Sequence, residues 1–337
     1  MILAAVEETA VAAFLRDAGL IEPGITPRFT PLTGGVASDI WKVEAGSAVF
    51  AVKRALAKLR VARDWTVPVS RNASEVDWLR AAAEVVPDAV PRVLAHDPEL
   101  GAFAMDYLDP EHHPVWKQRL AAGQCDPDFA TAVGRTIGAI HAATAHSQTV
   151  ARRFANDALF HAIRLEPYLE ATAEAHPDLA PALMALSRAT LATHIALVHG
   201  DVSPKNILVG PHGPILLDAE CAWYGDPAFD LAFCLNHMLL KCLWTPSSAA
   251  GYLGCFDALA AAYRAEIDWE PKHELERRAA ALLPALFLAR VDGKSPVEYI
   301  TDESDKARVR RVARHLIVAK PEQLAAISDA WAREVLR

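Results

Sequence analysis

The sequence predicts an α+β fold of two lobes, a small antiparallel-sheet lobe followed by a larger helical one. Three observations lead there. A chain of 337 residues exceeds the size at which one hydrophobic core usually keeps growing. Its first third alternates short β-prone runs with turn residues, whereas the remainder is rich in Ala and Leu at helical spacing. The composition, 52% hydrophobic and 23% charged, is that of an ordinary globular protein rather than a disordered or fibrous one.

Taken in order, residues 1–20 read as an amphipathic helix, since Glu7 and Glu8 stand where a signal peptide needs positive charge. Residues 28–32, 39–44 and 48–54 read as strands, with turn residues at Gly34-Gly35 and Gly46. Val76, Leu79 and Ala83 predict a helix over 71–85 that stops before Pro87. Strands over 92–95 and 102–108 close the first lobe, so its boundary falls at residues 1–108 and the helical lobe takes 109–337. Helices are predicted near 127–145, 154–174, 178–194, 227–241, 249–267 and 273–289. Two short strands, 207–209 and 215–217, flank Gly210-Pro211-His212-Gly213, a hairpin signal.

Bulk properties remove several classes of function. A net charge of -8 opposes binding to polyphosphate backbones, so nucleic acid is not an expected partner. The longest apolar run, 279–289, is broken by Pro284 and too short to span a bilayer, so no membrane partner is expected. Cys125, Cys221, Cys234, Cys242 and Cys255 lack zinc-type or C-x-x-C spacing. They read as reduced, mostly buried side chains, which fits the cytoplasm.

Chemistry concentrates around the hairpin. His199-Gly200-Asp201-Val202-Ser203-Pro204-Lys205-Asn206 puts a carboxylate five residues before an amide, and Asp218 follows the second strand. Phosphoryl transfer from a nucleotide needs such a set, a carboxylate to orient a hydroxyl and take its proton, and oxygen ligands for Mg²⁺. Singly, Asp201 and Asn206 are ordinary turn residues; as an ordered set they match the kinase catalytic loop.

HGDVSPKN, LLDAE and YGDPAFDLA together resemble the aminoglycoside phosphotransferase and choline kinase superfamily, whose members are similar in fold to protein kinases. The resemblance runs from about Leu32 to Leu240. It implies ATP or GTP as co-substrate, Mg²⁺ as cofactor and a small hydroxylated metabolite as acceptor. It also implies Asp201 as catalytic base, with Asn206 and Asp218 as metal ligands. Asp218-Ala219-Glu220 stands where protein kinases have D-F-G, a form similar to methylthioribose kinase; Glu220 is either a further metal carboxylate or a solvated neighbour. Ser203 occupies the place of a phosphate-facing lysine, leaving that charge to Lys205 or to no residue. Asp230 is similar to the family aspartate that holds the loop backbone, and His199 reads as a structural brace.

In the first lobe, Gly34, Gly35 and Ser38 lie in a turn suited to cover phosphates. Lys53 on the third strand corresponds to the kinase lysine, and Glu75 to its carboxylate, with Asp77 as competitor. Residues 103–108 resemble the hinge that pairs with adenine. Asp226 reads as helix punctuation, and Leu231, Leu235, Met238 and Leu239 as a buried face. Residues 290–296 read either as a solvated turn or as a reach toward the acceptor. AVKRAL, LRV and DAECAWYG add a resemblance to methylthioribose kinase, making such a sugar the specific acceptor candidate and an aminoglycoside or amino alcohol the alternative. A catalytically silent nucleotide-binding module and a protein kinase are the rivals. The few residues between Asp218 and Pro227 leave no room for a peptide-docking segment.

Overall fold

Alternating side chains build the sheet of the N-terminal unit. Strands β1 (Arg28–Pro31), β2 (Ser38–Ala45), β3 (Ala48–Ala55), β4 (Val93–Asp97) and β5 (Ala102–Asp106) pair antiparallel in the order β1-β2-β3-β5-β4. The computed structural model describes residues 2–32, 38–56 and 71–336, and the chain forms two compact units, Met1–His112 and His113–Arg337. Trp41 lies opposite Val52 and Val43 opposite Phe50, so these four share one face. Val11, Phe14 and Leu15 of the helix Ile2–Asp17 join that face in one core. Lys53, next along β3, therefore belongs to the other face, where the helix Arg71–Ala83 packs against β3, β4 and β5. Gly34, Gly35 and the LRV stretch at 59–61 lie outside the described residues.

The C-terminal unit is mostly helical. Its centre is the helix Ala228–Trp244, buried on every side from Ala228 to Leu243 rather than only along the Leu231 to Leu239 stripe. Covering it from several directions requires more helices than the sequence reading supplied. Helix Leu324–Val335 adds to the cover, Trp331 Nε1 donating to the Leu239 carbonyl at 2.9 Å, and Glu303–Ala319 packs on Lys272–Asp292 outside it. Their apolar spacing, Val309, Ala313 and Leu316, then Leu324, Ile327 and Trp331, carries the signal for them. Helix Pro127–Thr144 lies against Ala249–Glu266 so closely that a Cβ at Gly134 would fall 2.4 Å from the Leu259 carbonyl oxygen.

Residues 154–174 are not one α-helix. Asp157–Phe160 is α-helical, His161–Glu170 widens to π geometry, and Ala171–Ala175 resumes. Pro167 lies inside the wide stretch and, lacking an N–H, cannot donate to the α ladder. Two small antiparallel pairs complete the unit: β6 (Ala196–Val198) with β9 (Trp223–Gly225), and the hairpin β7 (Ile207–Gly210) with β8 (Gly213–Leu216). All five cysteines are unpaired. Among the described residues no helix is long and apolar enough to cross a membrane.

Candidate active site

The four short strands of the C-terminal unit present two loops. Residues 199–206 run from β6 to β7, and residues 217–222 from β8 to β9. Asp230, fully buried in the first turn of Ala228–Trp244, accepts from two successive N–H groups at the start of the first loop. Its Oδ2 takes the His199 N–H at 2.7 Å, and Oδ1 the Gly200 N–H at 2.8 Å. His141 Nε2 lies 3.3 Å from the same Oδ2, and its Nδ1 lies 2.7 Å from the Tyr263 hydroxyl. Gly200 has a φ of 79°, and a Cβ there would meet the Cys221 Cβ at 2.8 Å, so the tight turn requires glycine.

His199 ties the two loops together. Burial lowers its pKa against the pull of Asp230 and Asp201, which favours the neutral ring. The neutral tautomer that satisfies both neighbours donates from Nε2 to the Leu217 carbonyl at 3.1 Å and accepts the Asp201 N–H on Nδ1 at 3.1 Å. Asp218 follows at once, with a φ of 68°, a left-handed conformation costly for a residue other than glycine.

Asp201 is 5% exposed, and its Oδ2 meets the Arg164 Nη2 at 3.0 Å and the Lys205 Nζ at 3.1 Å. Burial pushes its carboxyl upward, but Lys205 and Arg164 outweigh that and hold it below the usual carboxylate range. In return Asp201 raises the Lys205 ammonium to about 12. Asn206 Nδ2 donates to the Asp201 carbonyl at 3.1 Å, which orients the amide. The charge of Asp218 is felt at Asp201, Lys205 and His199, and that of half-buried Glu220 at Arg164 and Cys221. Ser203 Oγ is buried without a hydrogen-bond partner, so the ammonium near Asp201 comes from Lys205.

Asn206, Asp218 and Glu220 offer one amide oxygen and two carboxylates, hard ligands of the kind Mg²⁺ takes. Among the described residues no group of three or more His, Cys, Asp or Glu forms a self-contained metal site. Mg²⁺ commonly uses one or two carboxylates and completes its shell with water and phosphate oxygens.

In the N-terminal unit Lys53 Nζ lies 2.7 Å from Glu75 Oε2, the two side chains being 5% and 3% exposed. Asp77, the other carboxylate of that helix, is half-buried, and Ser38 is buried at the start of β2. Asp226 caps the helix by accepting the Ala228 N–H at 3.0 Å, and it also holds Arg278. Within 290–296 the side chains diverge. Asp292 pairs with Arg310 and His176, Lys294 with Glu166, and Arg290 turns to Tyr168 and Ser295.

Arg164 escaped the sequence reading. It sits in the π-helical stretch and donates from Nε to the Gly200 carbonyl, so it grips the loop backbone as well as the Asp201 carboxylate. A lone arginine between Ile163 and Leu165, both buried, was the available signal.

The profile of the phosphotransferase enzyme family matches residues 28–275. A methylthioribose kinase of Pectobacterium carotovorum subsp. carotovorum is 27% identical over 235 residues, covering 62% of this chain and 58% of that protein. The chain thus spans little more than half the length of that curated relative. Among solved structures, a choline/ethanolamine kinase family protein from Mesorhizobium loti superposes with a TM-score of 0.53 at 16% identity, covering 100% of both chains. An amicoumacin kinase, hAmiN, solved in complex with AMP-PNP, Ca²⁺ and Ami, superposes with a TM-score of 0.54 at 14% identity, covering 92% of this chain and 94% of its own. The protein-kinase-like fold read from the motifs is that of these neighbours.

Proposed function

This chain belongs to the phosphotransferase enzyme family, and on that footing we propose that it is a small-molecule kinase transferring the γ-phosphoryl group of ATP or GTP to a hydroxyl. One observation carries the reading. Asp201 is a buried carboxylate kept ionised by Arg164 and Lys205, on a loop whose backbone Asp230 clamps.

Asp201 orients the acceptor hydroxyl and takes its proton. The hydroxyl oxygen forms a bond to the γ-phosphorus as the bond to the β,γ-bridging oxygen breaks, leaving a nucleoside diphosphate. Asn206 and Asp218, with Glu220 as a further carboxylate, would hold Mg²⁺, which would supply neutralisation of phosphate charge. Lys53, braced by Glu75, positions the phosphates. Unpaired cysteines support action in a reducing compartment, the cytoplasm. The name of the curated relative makes a methylthioribose-like sugar the first acceptor to try, with aminoglycosides and amino alcohols as the second class.

The test is a phosphoryl-transfer screen over sugars, sugar derivatives, amino alcohols and aminocyclitols with Mg²⁺ and either nucleotide, followed by ³¹P NMR. A phosphate monoester of a small hydroxyl compound is the expected product. Phosphorylation of proteins alone, or failure to bind either nucleotide, would overturn the reading.

A further inference from the structure

A second group of polar side chains gathers next to Asp201, and apart from Lys205 the proposed chemistry leaves it without a task. Lys205, whose Nζ is 3.1 Å from Asp201, also lines a cavity of about 40 Å³. That is room for about three water-sized groups. Opposite it stand Lys241 and His237 from the helix Ala228–Trp244, Arg290 from the end of Lys272–Asp292, Lys117, and Tyr299. Glu298 is the one acidic side chain among the lining residues, and it is already paired with Lys117.

Lys241 is the unusual member. It is 0% exposed, its Nζ has no hydrogen-bond partner, and it meets only the ring faces of Trp244 at 4.4 Å and Tyr299 at 4.8 Å. Those rings are stacked with centroids 4.4 Å apart. His237 Nε2, Arg290 Nε and the Tyr299 hydroxyl are likewise buried without partners. Burying one polar group unpaired costs free energy, and burying an ammonium costs more. Four such groups around one small cavity form a site whose complement is missing, and all of them can donate.

We infer that the phosphate acceptor carries an anionic group, a carboxylate or a phosphate monoester, which this pocket receives through Lys241, Arg290 and His237 while its hydroxyl faces Asp201. The inference rests on the kinase reading for the word acceptor and on the pocket alone for the anion. It disfavours an uncharged methylthioribose-like sugar, and more strongly aminoglycosides and amino alcohols, whose ammonium groups would meet Lys117, Lys241 and Arg290. A sugar acid or sugar phosphate satisfies both the hydroxyl chemistry and the pocket. Burial first, then Lys117, lowers Lys241 to about 7, against the pull of Glu298. An arriving anion restores the charge, so binding takes up protons above neutral pH.

The test is calorimetric titration of the protein, saturated with Mg²⁺ and a non-hydrolysable ATP analogue, using matched pairs: glycerate with glycerol, gluconate with sorbitol, ribose 5-phosphate with ribose. At least one anion should bind about tenfold or more tightly than its uncharged partner, the acids and the phosphate ester separating the two sources of charge. At pH 8 its binding enthalpy should vary with buffer ionisation as protons are taken up. K241M should weaken that anion by about tenfold or more and remove the proton uptake, with nucleotide affinity unchanged. Equal or better binding of the uncharged partners or of choline, no anion binding at all, or an unaltered anion affinity in K241M would each overturn the inference. Anion binding through Lys241 together with failure of the phosphoryl-transfer screen run with ATP or GTP would keep the pocket and lose the kinase reading.

Discussion

In the N-terminal unit Lys53 is buried with the Glu75 carboxylate 2.7 Å from its ammonium. In the C-terminal unit Lys241 is buried more completely, and its ammonium meets only aromatic faces. The first lysine is held in place by the protein itself, so its geometry exists before any ligand arrives. The second is left with a deficit that a ligand can make good. A buried charge with a charged partner is preorganised structure, whereas a buried ammonium that meets only aromatic rings is the ground on which an anionic ligand is proposed.

Removing the partner from the first lysine should bring the largest change. E75L takes away a buried carboxylate and is expected to cost about 3 to 5 kcal/mol in urea unfolding. A loss under about 1 kcal/mol, the scale of exposed pairs, would mean that Lys53 is not held as described.

A comparable loss should come from D230A, because the His199 and Gly200 N–H groups and His141 lose their common acceptor in a buried site. Unsatisfied donors of this kind cost about 1 to 3 kcal/mol each, so about 3 kcal/mol is expected, with turnover falling as the loop loosens. Wild-type turnover in D230A would show that the clamp is dispensable.

The second lysine should respond with the opposite sign. In the absence of ligand, K241M exchanges an unanswered ammonium for an apolar side chain, and at pH 6 it should stabilise the protein by about 1 to 3 kcal/mol. Lys241 titrates near 7 when folded, against an ordinary 10.5. Between those values the unfolded chain holds one more proton than the folded one, so this lysine makes stability rise with pH. Its cost is fully present below about pH 7 and is relieved progressively toward pH 10.5. The slope difference between wild type and K241M should approach one proton, on the order of 1 kcal/mol per pH unit. Parallel stability profiles would remove Lys241 from the cavity wall as a buried ammonium.

The same contrast explains what could be read beforehand. Asp201, Asn206 and Asp218 lie within eighteen residues of one another, on loops whose turn and strand signals are local, so their spacing and the resemblance it carries made them candidates. Lys53 followed from its strand and the kinase pattern, whereas Glu75 and Asp77 of the next helix both stood as its partner until the ion pair distinguished them. Lys241 was not singled out in the sequence, where it is a basic residue in the last turn of a helix, the place where the helix dipole favours one. Only packing on every side of that helix makes it buried. Arg290, Tyr299 and Lys117 come from separate segments and meet it through tertiary structure, which no local pattern encodes. Arg164 was hidden for the same reason: its partners, Gly200 and Asp201, lie far along the chain. In the fold, local periodicity located the sheet and the central helices. It gave little warning of three-residue strands such as β6 and β9, whose pairing depends on residues more than twenty positions apart.

The proposed phosphoryl transfer through Asp201 is best probed with D201N, which keeps the shape of the side chain and removes its capacity to take a proton. Nucleotide affinity and turnover should be measured together, using the acceptor identified in the screen. Affinity should stay near the wild-type value while turnover falls by about 10² or more. Turnover close to wild type would contradict the assignment of Asp201 as the base.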